Sequence, residues 1–320
     1  MNPGRVVVLG ARGFVGRHVA DALVLAGHHV WNASRRAPTG PDLGVRIDVL
    51  DRPEAARAVL LDLRPTAVVN ATGAVWDVTA DDLRRVNVDL VDGLVDLLAG
   101  LPEPPRLVQL GSVHEVAPSP GAYGRSKAAG SGAVLGAARA GRLDAVVLRL
   151  SNAVGPGQPR ASLLGAVAAQ LREAARTGAP ATLRVTRPPA ARDFVDVRDV
   201  ATAVATAATT RWSTAGPPPD LTLARGESVA LADVVGELVL LSGAPAVVQR
   251  VDPPGDADVP VRSTWAAART HLGWAPRRHR EESLRDLWDQ VRWAERRSSA
   301  PAAHRSTVAT PAPPPKEPLA

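Results

Sequence analysis

The chain has 320 residues, a formal net charge of +6 and no cysteine, so it is long enough for one large α/β domain with a smaller lobe, and a disulfide framework, thiolate metal site or cysteine nucleophile is excluded. Nucleic acid is not the expected partner, because the arginines are interspersed with Asp and Glu and only 3% of residues are aromatic and able to stack on bases. No stretch approaches the ~20 apolar residues of a membrane span, and the apolar run at residues 6–9 is too short for a signal peptide, so the expected setting is the cytoplasm, away from membranes.

In chain order, short β-branched runs alternate with amphipathic stretches, the pattern of βαβ units in a parallel sheet covered on both faces. Strands are expected at residues 6–9, 29–33, 67–70, 107–110 and 145–148. Helices are expected between them at 14–26, 53–61, 81–98 and 123–140. Asp51 is the expected N-cap of the second helix, with Pro53 in its first turn, and Thr79 caps the third with Asp82 three residues on. Right-handed crossovers then give a Rossmann-type doubly wound α/β sheet over residues 1–150. Beyond Leu150, Gly/Pro-rich turns, apolar helices and short strand candidates suggest a smaller C-terminal lobe over 151–297, with 192–210 returning to the first domain. Residues 298–320 are rich in Pro, Ala, Ser and Thr without a hydrophobic period and read as a disordered tail.

The first strand runs into Gly10-Ala-Arg12-Gly13-Phe14-Val15-Gly16, which opens a helix. Glycines there permit a tight turn and close approach of a pyrophosphate, and the helix N-terminus favours the anion. The end of the second strand selects the cofactor: an acidic residue would accept from the ribose hydroxyls of NAD and repel a 2′-phosphate. Ser34-Arg35-Arg36 stands there instead, with Arg12 in the loop, and guanidinium forks suit phosphate oxygens. NADP(H) is therefore expected ahead of NAD(H), the alternative being that these arginines form a solvated basic surface. Asp48, followed by Val49, is placed either to accept from the adenine amino group or to serve as an ordinary loop aspartate.

Tyr123 is the only tyrosine, and Lys127 is one of two lysines in a chain that otherwise uses arginine. Lysine is a compact, titratable point charge, suited to work a guanidinium cannot do. At i and i+4 on a helix the phenol and ammonium share a face. A neighbouring ammonium lowers a phenol's pKa, which makes the pair a candidate proton donor near neutral pH.

These motifs, with Asn70-Ala71-Thr72-Gly73, Asn87-Val88, Gly111-Ser112, Arg149-Leu-Ser-Asn152-Ala-Val-Gly-Pro156, Arg192-Asp-Phe-Val-Asp-Val-Arg-Asp199 and Leu272-Gly-Trp274-Ala-Pro276, resemble in their order the extended short-chain dehydrogenase/reductases that act on nucleotide sugars. The resemblance runs from Val6 to about Trp293. It implies that Ser112, Tyr123 and Lys127 are catalytic, that Ala71, Thr72, Gly73 and Asn87 line the cofactor, and that the smaller lobe holds a nucleotide-diphosphate sugar. It also implies a possible homodimer through helices 81–98 and 123–140. Ser112 would hold the carbonyl oxygen as charge develops, or else satisfies backbone at a strand end.

Dehydratases of the family carry Thr-Asp-Glu where this chain has Ser112-Val113-His114, so the groups for eliminating water are absent. The epimerase-reductases of fucose nucleotides carry a cysteine where His114 stands. Leu110-Gly-Ser-Val-His-Glu-Val116 is similar to the segment in ketoreductases that reduce C4 of NDP-4-keto-6-deoxyhexoses, although Val116 and Ala117 replace a Tyr-Gly common there. His114 and Glu115 either touch the sugar or form a solvated loop pair. Asn152 and Arg192 match positions that contact the diphosphate, Asn152 serving equally well as a loop cap. Trp76 is a candidate wall of the sugar pocket, and Trp274 is expected in the core of the terminal lobe. The expected function is NADPH-dependent 4-ketoreduction, with a 4-epimerase holding NAD tightly and a non-catalytic dinucleotide sensor as alternatives.

Overall fold

Strands buried on both faces need unbroken apolar runs, and the first half of the chain supplies them. The computed structural model describes residues 3–36, 44–76, 78–117, 120–186, 191–210, 219–251 and 263–298. Elements in the first half are β1 (Arg5–Leu9), α1 (Phe14–Leu25), β2 (His29–Ser34), β3 (Gly44–Arg46), α2 (Pro53–Leu63), β4 (Ala67–Asn70), α3 (Ala80–Arg84), α4 (Leu90–Ala99), β5 (Arg106–Ser112), α5 (Ala122–Arg139) and β6 (Ala145–Leu150). The second half adds β7 (Asn152–Val154), α6 (Leu163–Thr177), β8 (Ala181–Thr186), β9 (Ala191–Asp196), α7 (Val197–Thr209) and β10 (Asp220–Leu223). It ends with β11 (Ser228–Ala230), α8 (Leu231–Ser242), β12 (Ala246–Val251), α9 (Ala266–Leu272) and α10 (Arg280–Ser298).

Seven strands form a parallel sheet in the order β10-β6-β5-β4-β1-β2-β3, a Rossmann-type α/β fold. The chain moves outward from β1 to β3 and then restarts on the other side at β4. This reversal opens a crevice at the carboxyl ends of β1 and β4, where ligands bind in such sheets. On one face Val6, Val8 and Val69 pack with Val19 and Leu23 of α1 and Val200 and Val204 of α7. On the other, Val7 and Val68 pack with Leu60 of α2, Leu94 of α4 and Val134 of α5. A separate core joins Leu171 of α6, Leu183 of β8, Leu238 of α8 and Trp288 of α10. Among the described residues no helix is long and apolar enough to cross a membrane.

Several expectations change. The third helix starts with the expected capping box between Thr79 and Asp82, but a π-helical turn at Arg85–Asp89 divides it into α3 and α4. Asp51 does not cap α2: Arg52 occupies that position without a side-chain cap, and Asp51 pairs with Arg85 at 2.7 Å. Asp220–Leu223, assigned from the sequence to the smaller lobe, instead pairs with β6 at the edge of the large sheet. Trp274 is buried, as expected of a core residue, but it packs in the core beneath α1 and α7 rather than in the lobe, and its Nε1 donates to Asp199 O at 2.9 Å. From residue 299 on, the tail lies outside the described residues.

Candidate active site

The register places Leu9 opposite both Ala33 and Asn70, so the loops after β1, β2 and β4 leave the sheet at one edge. Gly10 has a φ of 77°, and a Cβ there would stand 2.8 Å from Ala71 O. A Cβ on Gly16 would stand 2.1 Å from Gly10 O, so α1 can approach the loop only with a hydrogen at that position. Gly13 caps α1 without a side-chain hydrogen bond, and no acidic residue lies in the first turn. The resulting backbone cradle, with unshielded helix N–H groups, fits a pyrophosphate. Arg12, Arg35 and Arg36 are exposed at this edge. Ser34 Oγ donates to Arg36 O at 2.6 Å and Arg46 Nε donates to Arg35 O at 3.0 Å, so the turn is held through its backbone.

Other expected cofactor residues have structural tasks. Asp48 is buried and accepts Asp51 N–H at 3.1 Å, closing the turn before α2 as a loop aspartate does. Val49 is buried in the core beside α2 and α4. Asn87, carried by the π-helical turn, is also buried: its amide bridges the N–H and O of Ala74 at 3.1 Å each, and donates to Ser126 Oγ at 3.0 Å. It clasps the loop after β4 to α5. The sequence reading missed Gln109, an isolated amide in an apolar strand. Asn70 donates to Gln109 Oε1 at 2.9 Å and Gln109 donates to Leu110 O at 3.2 Å. Asn70 Oδ1 accepts Thr72 N–H at 3.1 Å, so a buried amide ladder supports Ala71, Thr72 and Gly73.

A cleft of about 670 Å³ joins these loops to the smaller lobe. Its walls include Gly13, Phe14, Val15, Ala71, Thr72 and Gly73 on the sheet side. Ser112, Tyr123 and Lys127 line it as well, as do Trp76, His114, Asn152 and Arg192. Ser112 ends β5, while α5 carries Tyr123 and Lys127 one turn apart. Gly124 lets α5 press on the 3-10 turn Val113–Val116, because a Cβ there would stand 2.5 Å from His114 O.

The electrostatics reverse one expectation. Burial pushes the Tyr123 phenol above its usual value; a hydrogen bond with Ser112 opposes the shift and the Glu115 carboxylate adds to it. The expected lowering by Lys127 is therefore not what the chain produces. Burial lowers the Lys127 ammonium to about 8 against the opposing pull of Glu115, and Nζ donates to Leu110 O at 2.6 Å.

His114 packs edge-on against Tyr123, with ring centroids 6.3 Å apart. Glu115 is neither a solvated loop residue nor in the cleft: it is buried and paired with Arg149. Asn152 Nδ2 donates to Asp193 O at 3.0 Å, tying β7 to β9 while bordering the cleft, and Arg192 Nη1 donates to Ala191 O at 3.1 Å. The acidic residues that follow Arg192 are pegs. Asp193 accepts from Arg225, Gly226 and Glu227 N–H at 2.6 to 2.9 Å, and Asp199 accepts from Arg277 and Arg278 N–H at 2.8 Å.

The parallel sheet, the glycine cradle at its switch point and the Ser-Tyr-Lys cluster define an extended short-chain dehydrogenase/reductase. The chain belongs to the NAD dependent epimerase/dehydratase family, which it matches over residues 6–217. It is 37% identical over 308 residues to a dTDP-6-deoxy-L-talose 4-dehydrogenase (NAD(P)(+)) of Kitasatospora kifunensis, covering 89% of this chain and 95% of the relative. A putative epimerase from Burkholderia cenocepacia superposes with a TM-score of 0.75 at 27% identity, covering 92% of this chain and all (100%) of the other. The Thermus thermophilus UDP-glucose 4-epimerase in complex with NAD shares the fold, with a TM-score of 0.77 at 24% identity over 91% of this chain and 99% of that one.

Proposed function

We propose that the protein reduces the C4 ketone of an NDP-4-keto-6-deoxyhexose, dTDP-linked, with NADPH, as a step in deoxysugar formation in the cytoplasm. The observation that carries this reading is the convergence of Ser112, Tyr123 and Lys127 in one cleft, with the glycine cradle on one side and Asn152 and Arg192 on the other. When bound, the nicotinamide supplies hydride to the ketone carbon. The hydrogen-bonded hydroxyls of Ser112 and Tyr123 converge where the ketone oxygen can be held, and Tyr123 donates the proton. A raised phenol pKa keeps Tyr123 in its acid form, which reduction requires. Lys127, charged below about 8, stabilises the phenolate that the transfer leaves behind.

The Kitasatospora relative is named for dehydrogenation at C4 of a dTDP-6-deoxyhexose. Reduction of the corresponding ketone is the reverse of that reaction and passes through the same transition state, so one set of residues serves both directions. Arg12, Arg35 and Arg36 support NADPH by offering guanidinium groups where a 2′-phosphate would lie. Glu115, the carboxylate nearest Ser112 in sequence, is committed to Ser112 N–H and Arg149, so it is not free to serve as an acid or base in the elimination of water.

The test is NADPH oxidation with a panel of NDP-4-keto-6-deoxyhexoses, with NMR assignment of the C4 configuration in the product. Tyr123→Phe is expected to lower kcat at least ~100-fold, the usual scale for a lost general acid. Retention of most of the rate would sink the assignment. NAD retained through purification, with no turnover of added NADPH, would point instead to a 4-epimerase.

A further inference from the structure

The roles given to Ser112, Tyr123 and Lys127 leave a buried carboxylate unused. The Glu115 side chain has 0% exposure. Its Oε1 accepts Ser112 N–H at 2.6 Å, and its Oε2 is paired with the Arg149 guanidinium. Arg149 in turn grips both oxygens of Asp220, at 2.8 and 2.9 Å. A chain of charges therefore runs from Asp220 on β10 through Arg149 on β6 to Glu115, and ends on the backbone of Ser112. Gly111 makes room for it: a Cβ there would stand 2.7 Å from Glu115 Oε1.

A four-residue 3-10 turn needs no ion to close it, since a neutral amide or water can satisfy one N–H. A buried carboxylate is costly unless it is paired. The fold nevertheless keeps one at the strand end that holds a buried ammonium, since Lys127 Nζ donates to Leu110 O, two residues before the Ser112 N–H that Glu115 accepts, and braces it through two further strands.

We propose that Glu115 is a positioning residue of the proton-transfer site: its Oε1 fixes Ser112 at the end of β5, and its charge faces the Lys127 ammonium, which is bonded to the same strand two residues earlier. The use of that ammonium rests on the reductase reading; the coupling itself does not. Lys127 lines the cleft with Tyr123 on its own helix and with Ser112 and His114, its Nζ is bonded to the Leu110 carbonyl of β5, and the Glu115 charge acts on it from the 3-10 turn. Arg149 and Asp220 stand behind Glu115 with charges that offset one another. Glu115 pulls Lys127 upward against the burial that brings it to about 8.

The test exploits composition. The sequence contains two lysines, Lys127 and Lys316, so protein labelled with 13C at lysine Cε gives two resonances, one of which reports Lys127. Its midpoint is expected near 8 in the parent chain. Glu115→Gln is expected to lower it by roughly one pH unit, the scale of a nearby opposite charge, and to move the alkaline limb of kcat down with it. Glu115→Asp, which keeps the charge, is expected to hold the midpoint closer to the parent value than the Gln variant does. A midpoint unmoved in Glu115→Gln, with kcat reduced equally at every pH, would overturn the proposal and leave Glu115 as a structural cap. Should Glu115→Gln fail to fold with Arg149 unpaired, the double variant Glu115→Gln/Arg149→Met removes both buried charges, and the same downward displacement or its absence decides. The titration uses no substrate, so loss of the coupling is distinguishable from failure of the reductase reading, which appears as absent turnover in the parent protein.

Discussion

Replacing Lys127 with Met should stabilise the fold while stopping the reaction. The ammonium is buried, and its pKa falls from 10.5 to about 8 on folding, so the folded chain holds this proton less tightly than the unfolded chain. Between those values the unfolded state binds more protons, and stability rises with pH as Lys127 becomes neutral. The displacement corresponds to about 3 kcal/mol of cost at neutral pH, an upper bound on what Met recovers. Met offers the pocket a similar unbranched stem, and Leu110 O keeps the Gln109 amide as a donor after Nζ is gone. Urea unfolding should therefore show Lys127→Met more stable by up to about 3 kcal/mol at pH 7, shrinking to about 1 kcal/mol at pH 10, while kcat falls on the order of 100-fold or more. In the parent enzyme, reduction should slow as pH rises through about 8. A variant no more stable than the parent, or a gain that does not shrink with pH, would refute a buried ammonium with a depressed pKa.

Arg35→Ala and Arg36→Ala should each raise KM for NADPH by roughly 10-fold, the scale of a charged hydrogen bond, and leave KM for NADH nearly unchanged; an equal rise for both cofactors would remove the 2′-phosphate assignment. Gly16→Ala places a Cβ 2.1 Å from Gly10 O, so cofactor binding by calorimetry should be lost, with about 1 to 3 kcal/mol of stability, as in overpacked cores. Asp196 accepts from Arg198 and from Ser283 Oγ at 2.7 Å. Burial alone would raise the carboxyl, but those hydrogen bonds and the guanidinium charge outweigh it and hold its pKa below 3.8. Its contribution is therefore present above the ordinary carboxylate pKa and lost as pH falls through the lower folded value. Asp196→Asn should cost roughly 3 kcal/mol at neutral pH, as broken buried pairs do, with the deficit narrowing in acid unfolding curves.

Most of the sheet was legible because a strand buried on both faces leaves a local mark. The runs at Val6–Leu9 and Ala67–Asn70 announce themselves without knowledge of their neighbours. Asp220–Leu223 leaves no such mark, since its place beside β6 depends on a partner more than 70 residues away in sequence. The cradle and the Tyr123-Lys127 pair were legible for the same local reason: a tight turn requires glycine, and residues four apart share a helix face. Glu115 was not, because its neighbours in sequence look like a solvated loop. Its burial is set by Arg149 and Asp220, 34 residues and, from Arg149, a further 71 residues along the chain.

The sign of the tyrosine shift is not legible in the sequence for a related reason. Spacing shows that a phenol and an ammonium share a face, but not how much water surrounds them. Burial penalises each lone charge, raising Tyr123 and lowering Lys127. It penalises the phenolate-ammonium pair far less, because the pair carries no net charge. On the proposed reductase reading, Tyr123 is held as an acid until a ketone oxygen takes its proton, and the phenolate then forms one helical turn from a positive charge in a medium that screens it poorly. On that reading the desolvation that opposes idle ionisation favours transfer to bound substrate, provided Lys127 keeps its proton, which is the task proposed for Glu115.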